Sequence, residues 1–407
     1  MTVVGSTQIR VSSAAMSSVP ASFALPERIL LGPGPSPVPA AVLGALARPT
    51  IGHLDPEFLR LMDEVRDMMR AVFGTQNSCT LPMSGTGSAG METAIVNVVE
   101  PGSRVLIGHN GVFSQRLADV AQRAGAEVTT VEVEWGRSVP ADLLERAAAG
   151  RKYDVLATIH AETSCGVLQP LEPLRALADR LGALFLADTV TSLGGVPVDL
   201  DANGIDIAYS GTQKCLSCPP GLAPVSLSER AMARLARRTR PVQSWYLDLT
   251  MITRYWGQER VYHHTAPINA LYGLHEALRL VLAEGLSVRH ARHRRNSLAL
   301  AAGLEALGLE LPVAKDERLP PLTLVSVPDG IDEARVRRFL LHHYSLEIGG
   351  GLGKFKGKAW RIGLMGHGST RQNVSLCLTA LAQALAEQGY AARGDALAAS
   401  GAVYAAS

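Results

Sequence analysis

Ser210-Gly211-Thr212-Gln213-Lys214 follows the apolar, β-branched run Ile205–Tyr209 and so presents one lysine at the C-terminal end of a strand. In α/β proteins ligands collect just beyond the carboxyl ends of strands. Only six of the 39 basic residues are lysine, at positions 152, 214, 315, 354, 356 and 358, and Lys214 stands alone between Lys152 and Lys315. A chain that writes its positive charge mostly as arginine keeps a lysine where an amine must lose its proton, which a guanidinium does not do. Imine formation with a carbonyl group is the chemistry most in need of such an amine. The competing reading is a solvated surface cation, the ordinary fate of a lysine.

Outward from that strand the text alternates short apolar runs with segments of helical period. Val105–Ile107, Val128–Val133, Val155–Thr158, Leu184–Ala187 and Pro224–Leu227 read as strands, with helical pieces at Gln115–Ala124, Pro140–Ala149 and Leu171–Leu181 between them. This rhythm predicts an α/β fold with a mainly parallel sheet between helical layers. A long helical pattern from Pro267 to about Arg295 leads out of it. Leu322–Val327, Ile331–His343, Leu346–Ile348, Trp360–Leu364 and Thr370–Glu387 then suggest a smaller C-terminal α+β domain. The expected organisation is a flexible arm at 1–25, a large domain at 26–285 opening with an irregular Pro/Gly strap at 26–45, a small domain at 286–390, and a flexible Ala/Gly-rich tail at 391–407.

A net charge of +2 gives no global field for nucleic acid or anionic membrane. Arginine clusters at 234–240 and 289–295 read as solvated helix faces. Five cysteines, an odd number in a long chain, argue against a disulfide framework and for a reducing compartment. No run of about 18 apolar residues is present to span a bilayer. Cytoplasmic location is expected, with an organellar one as the lesser alternative, because residues 1–25 hold one arginine and no acid.

Several further residues carry chemistry. Ser84-Gly85-Thr86-Gly87-Ser88-Ala89-Gly90-Met91-Glu92 precedes a helical run, which gathers backbone N–H groups and hydroxyls at a helix N-terminus suited to an anion; a structural cap is the alternative. Asp188 closes a strand on the same edge as Lys214, where it either pairs with a cation such as a protonated ring nitrogen or caps the following segment, 189–194. Phe113 follows another strand and can stack on an aromatic ring or fill core. Arg361, a lone cation in an apolar run, can grip a carboxylate or form a structural ion pair. Cys215 and Cys218 have neither zinc-site nor redox-motif context and read as core thiols. His263 and His264 are adjacent and read as hydrogen-bonded structural residues, and no metal site is expected.

Together, SGTGSAGME (84–92), the strand ending at Asp188, SGTQK (210–214) and RIGL (361–364) resemble the class V branch of the fold-type I aminotransferases, which use pyridoxal 5′-phosphate. The resemblance runs from about Leu30 to Glu387. It is closest to alanine–glyoxylate and serine–pyruvate aminotransferases, through LLGPGPS (30–36), HNGVF (109–113), GVLQPL (166–171), SLGG (192–195), PPG (219–221), WYLDL (245–249), YHHT (262–265), EIGGGLG (347–353) and RIGLMG (361–366). It implies a seven-stranded type of sheet and a homodimer with shared active sites. Lys214 would hold the cofactor as an imine and shuttle the Cα proton, with Asp188 on the pyridine nitrogen. Phe113 and Val190 would cover the two ring faces, and Thr163 would sit near the cofactor's O3′. Thr86, Gly87, Ser88 and Gln213 fall at the phosphate, with Tyr262 and Thr265 reaching the neighbouring subunit's phosphate. Arg361 would take the substrate carboxylate, helped by Gly34 in the strap. Two departures stand out: Ser88 and Phe113 occupy positions where the alanine–glyoxylate enzymes carry histidine and tryptophan. The implied reaction is ping-pong transfer of an amino group from alanine or serine to glyoxylate or pyruvate. The alternatives are a pyridoxamine–pyruvate or other class V transaminase, a cysteine desulfurase-like lyase, and a cofactor-binding regulator.

Overall fold

A computed structural model describes residues 22–406; most of the arm expected at 1–25 lies outside the described residues. The central sheet has seven strands in the order Cys79–Ser84, Leu222–Leu227, Ile207–Tyr209, Leu184–Asp188, Val155–Ile159, Arg104–His109, Glu127–Glu132. Leu222–Leu227 is antiparallel to both neighbours, and the remaining pairs are parallel. The three middle strands of the sheet, Ile207–Tyr209, Leu184–Asp188 and Val155–Ile159, are buried along their whole length, which is why they read as unbroken apolar runs without alternation. Cys79–Ser84 escapes a reading by periodicity because it carries Pro82. The proline is tolerated because this is an edge strand, where it lies opposite Pro224.

The helical pattern from 267 to 295 is not one helix. Gly285, at φ 83°, ends Ile268–Glu284 and begins Leu286–Ala306, a backbone angle that only glycine adopts without strain. The second helix enters a separate apolar cluster built with the antiparallel strands Leu322–Ser326, Ala359–Gly363 and Gly349–Gly350 and the helices Glu333–Tyr344 and Arg371–Ala386. The strap joins that layer first. Ile29–Leu30 pairs in parallel with Leu346–Glu347, and Gly363 N–H donates to the Leu31 carbonyl, before the chain turns towards Lys214.

Two expectations are corrected. The tail expected to be flexible at 391–407 contains the helix Ala396–Ala405, capped by Asp395, whose carboxylate accepts from the Leu397 and Ala398 N–H groups. Its small side chains, which suggested disorder, let it lie close against Leu286–Ala306. A Cβ added at Gly303 would come within 3.0 Å of the Ala396 carbonyl, and Tyr404 donates to Asn296 across the contact. The arginine clusters are solvated only in part: Arg237, Arg240 and Arg294 are exposed, but others are bound to the fold. Arg234 and Arg238 donate to the carbonyls of Val98 and of Asn97 and Val99, which a helix end leaves unpaired. Arg289 is buried; it donates to the carbonyls of Gly194 and Cys215 and pairs with Glu284.

Arg289 thereby ties the helix Leu286–Ala306 to the loop that follows Lys214, while Arg292 of the same helix holds the carbonyls of Gly366 and Ser369. Gly366 (φ 54°) closes this seam: a Cβ there would overlap the Ser217 hydroxyl and reach 2.7 Å from the Cys215 carbonyl oxygen. Gly366→Ala is therefore expected to destabilise the fold by roughly 2–5 kcal/mol through backbone strain and overpacking. An unchanged urea midpoint would refute this. No helix among the described residues is long and apolar enough to cross a membrane.

Candidate active site

Each parallel strand delivers its next residues to one edge of the sheet, and nine of the residues named from the sequence meet there. A pocket is lined by Thr86, Gly87, Ser88, Phe113, Thr163, Asp188, Val190, Gln213 and Lys214, together with Met91, Arg116, Ile159, Ala161, Thr191 and Tyr209.

Lys214 is held by the strap. Ser36 N–H donates to the Gln213 carbonyl (2.8 Å) and Ser36 Oγ to the Lys214 carbonyl (2.6 Å), while Lys214 Nζ donates to the carbonyl of Pro33. Gly34 (φ 110°) passes so near that an added Cβ would sit 2.5 Å from Nζ. Burial pushes the amine down to about 8; the charge of Arg361 acts in the same direction, and Asp188 opposes it.

Asp188 is 3% exposed, and its Oδ1 accepts one backbone hydrogen bond, from Val190 at 2.8 Å. The segment that follows it is a turn, so the carboxylate caps no helix. Burial pushes this acid up to about 7, and the Tyr209 hydroxyl lies beside it without a well-aligned hydrogen bond. A buried carboxylate with a single N–H partner is stabilised by an incoming cation.

At the other end of the pocket the helix Gly87–Val98 starts earlier than its apolar periodicity indicated. Thr86 stands at its N-cap position, and the Thr86 side chain makes no capping bond. The first N–H groups of that helix and the Thr86 and Ser88 hydroxyls are thus grouped as an anion cradle. A cradle for phosphate, a carboxylate for a ring nitrogen, an amine for an aldehyde, and the side chains of Phe113 and Val190 together fit pyridoxal 5′-phosphate.

Arg361 adjoins the pocket. It is 7% exposed, and its guanidinium donates to the carbonyls of Gly350 (2.8 Å) and Thr163 (3.3 Å). No ion pair to Arg361 is present among the described residues, and burial pushes it down to about 10. Its remaining N–H groups suit a carboxylate ligand.

Tyr262 and Thr265 do not reach this pocket. Tyr262 is 54% exposed, with its hydroxyl 3.4 Å from Thr265 Oγ1. Between them His263 and His264 share a 2.8 Å contact through their Nδ1 atoms, and His264 Nε2 meets Ser84 Oγ at 2.8 Å. Cys215 and Cys218 are buried free thiols. Among the pocket residues that escaped the sequence reading are Tyr209 and Arg116. Tyr209 ends the very strand that carries Lys214, and Arg116, three positions after Phe113 on one helix, places its guanidinium 5.1 Å from the ring centre of Phe113.

Residues 31–352 match the family described as Aminotransferase class-V. The chain is 42% identical to an alanine–glyoxylate aminotransferase of Callithrix jacchus over 369 residues, which cover 89% of each chain. It is 38% identical to the (S)-ureidoglycine–glyoxylate transaminase of Bacillus subtilis, covering 88% of this chain and 90% of that one. The crystal structure of an alanine–glyoxylate aminotransferase from Nostoc sp. superposes with a TM-score of 0.89 at 49% identity, over 90% of this chain and 98% of that one. A sheet edge that collects amine, carboxylate and anion cradle, and an alignment covering about nine-tenths of the chain, lead to one conclusion: the chain belongs to the class V aminotransferase family, whose members depend on pyridoxal 5′-phosphate.

Proposed function

We propose that this enzyme transfers an amino group from alanine or serine to glyoxylate or pyruvate in a ping-pong cycle. The observation that carries the substrate class is Arg361, a buried guanidinium bonded among the described residues to carbonyl oxygens alone and set beside the pocket that holds Lys214. When bound, pyridoxal 5′-phosphate supplies an aldehyde that takes up the amino group and a ring that absorbs the electron pair left at Cα. Lys214 does the proton work: an amine held near neutrality by burial can accept the Cα proton at Nζ and return it elsewhere. Asp188 would keep the ring nitrogen protonated, since among the described residues its carboxylate forms no ion pair and accepts one backbone N–H. Thr86, Gly87, Ser88 and Gln213 anchor the phosphate, Phe113 and Val190 hold the ring between them, and Thr163 lies beside its oxygen substituent. Gly34 leaves room for the substrate next to Nζ.

Arg116 is the other cation at the pocket, but it is exposed and stacked on Phe113, so one buried clamp remains and small monocarboxylates fit best. Arg361→Gln is expected to raise KM for alanine by about 10²-fold, the usual scale for losing a charge-assisted bidentate contact. An initial-rate panel checks the class: rates with glutamate and 2-oxoglutarate far above those with alanine and glyoxylate would refute it. Cys377 argues against a lyase that uses a cysteine nucleophile, since it is buried in the helix Arg371–Ala386 and its thiol is pushed up to about 12.

The proposed assembly is a homodimer in which Tyr262 and Thr265 complete the partner's phosphate site. Trp245, Tyr246, Val261 and Tyr262 are exposed together, as an apolar interface requires. A cytoplasmic location is proposed from the five free cysteines.

A further inference from the structure

Glu162 is a fully buried carboxylate that no step above uses. Its Oε2 accepts from the backbone N–H groups of Phe113 and Ser114, each at 3.1 Å. Its Oε1 accepts from the Ser164 N–H at 3.1 Å and the Ser164 hydroxyl at 2.6 Å. The same Ser164 oxygen accepts from the Val112 N–H at 2.9 Å. The helix Val112–Arg123 begins here, so Glu162 and Ser164 engage three N–H groups that a helix start leaves without partners. Burial pushes this acid up, and its near contacts oppose that shift because they all come from donors, the environment of an acceptor-only anion; the positive end of the helix dipole favours the same charge.

The approach is close enough to dictate the sequence beside it. A Cβ added at Gly111, whose backbone is ordinary extended chain, would overlap the Glu162 side chain and the Ser164 hydroxyl. Phe113 thus has its backbone fixed by a carboxylate on a different element while its ring faces the pocket. The next residue after Glu162 is Thr163, which lines the pocket and whose carbonyl holds Arg361. The negative charge of Glu162 also supports the Arg361 guanidinium electrostatically.

We propose that Glu162 is a positioning residue: its carboxylate clamps the start of the Phe113 helix so that the ring is held against the cofactor, and it braces the Thr163–Arg361 side of the same pocket. The proposal rests on pyridoxal 5′-phosphate occupying the pocket. A glutamine cannot replace the clamp, because turned either way its NH2 group faces an N–H of Phe113 and Ser114 or of Ser164.

The test measures the dissociation constant of pyridoxal 5′-phosphate and the visible circular dichroism of the bound cofactor in wild type, Glu162→Gln, Phe113→Ala and the double variant, alongside thermal unfolding of the cofactor-free proteins. Glu162→Gln is expected to weaken cofactor binding about 10-fold and to reduce the visible signal, the scale of leaving buried donors unpaired. Added to Phe113→Ala, it is expected to cost much less, because both act through one ring. Ser164→Ala keeps the carboxylate and removes one donor, so it gives a milder loss in the same direction and serves where the glutamine variant fails to fold. A Glu162→Gln protein that is merely less stable, with cofactor affinity and spectrum unchanged, overturns the proposal, as does full additivity with Phe113→Ala. A wild type that takes up no pyridoxal 5′-phosphate overturns the functional reading itself, and the two failures are thereby distinct.

Discussion

Lys214→Ala is expected to abolish covalent attachment of the cofactor and to lower kcat/KM by about 10²–10⁴-fold or more, the range for removing a positioned general acid–base. The size follows from the surroundings of Nζ. The strap carbonyl of Pro33 and the close pass of Gly34 leave that amine little freedom. Lys214→Arg is expected to lose as much despite keeping the charge, since a guanidinium neither condenses with an aldehyde nor gives up its proton near neutral pH. Single-turnover rates with alanine separate the two roles. A Lys214→Arg enzyme within tenfold of wild type would show that charge alone matters and that the proton is moved elsewhere.

Asp188→Asn is expected to act in opposite directions on function and on stability. Activity should fall about 10²–10³-fold, because removing one partner of a buried charge pair costs about 3–5 kcal/mol. The cofactor-free protein should instead become more stable near neutral pH. The folded-state pKa of Asp188, about 7, is raised above its unfolded value, so the native chain binds more protons than the unfolded chain between about pH 4 and pH 7. Stability in that window therefore falls as pH rises, and asparagine removes this slope. Lys214 contributes the opposite slope at higher pH. Its folded value of about 8 lies below the unfolded one, so stability rises between about pH 8 and pH 10.5. Urea midpoints across pH 4–10 check both signs. A cofactor-free Asp188→Asn protein less stable than wild type at pH 7.5 would mean that the carboxylate is structurally paired.

Asp188 and Lys214 were legible because the one closes and the other soon follows a strand whose burial on both faces leaves an unbroken apolar run, and parallel strands end on one edge. The anion cradle was legible for a related reason, as Ser, Thr and Gly ahead of a helix leave hydroxyls and N–H groups free at its start. What the text hid depends on tertiary partners. Arg234, Arg238 and Arg289 resemble surface charges until the carbonyls they satisfy come from distant elements. The tail helix was hidden because alanine and glycine are read as loose unless a partner such as Leu286–Ala306 approaches closely enough to need them. Cys79–Ser84 was hidden by Pro82, acceptable only because the strand lies at the sheet edge. Glu162 gave no signal at all, since a buried acid looks like any other until the N–H groups around it are known.

The most direct test of the account is borohydride reduction of the enzyme loaded with pyridoxal 5′-phosphate, followed by peptide mapping. The account predicts a stoichiometric phosphopyridoxyl group on Lys214 and loss of activity in proportion to it. Fully loaded, active protein in which Lys214 is unlabelled, or in which the label sits on Lys152 or Lys315, would contradict it.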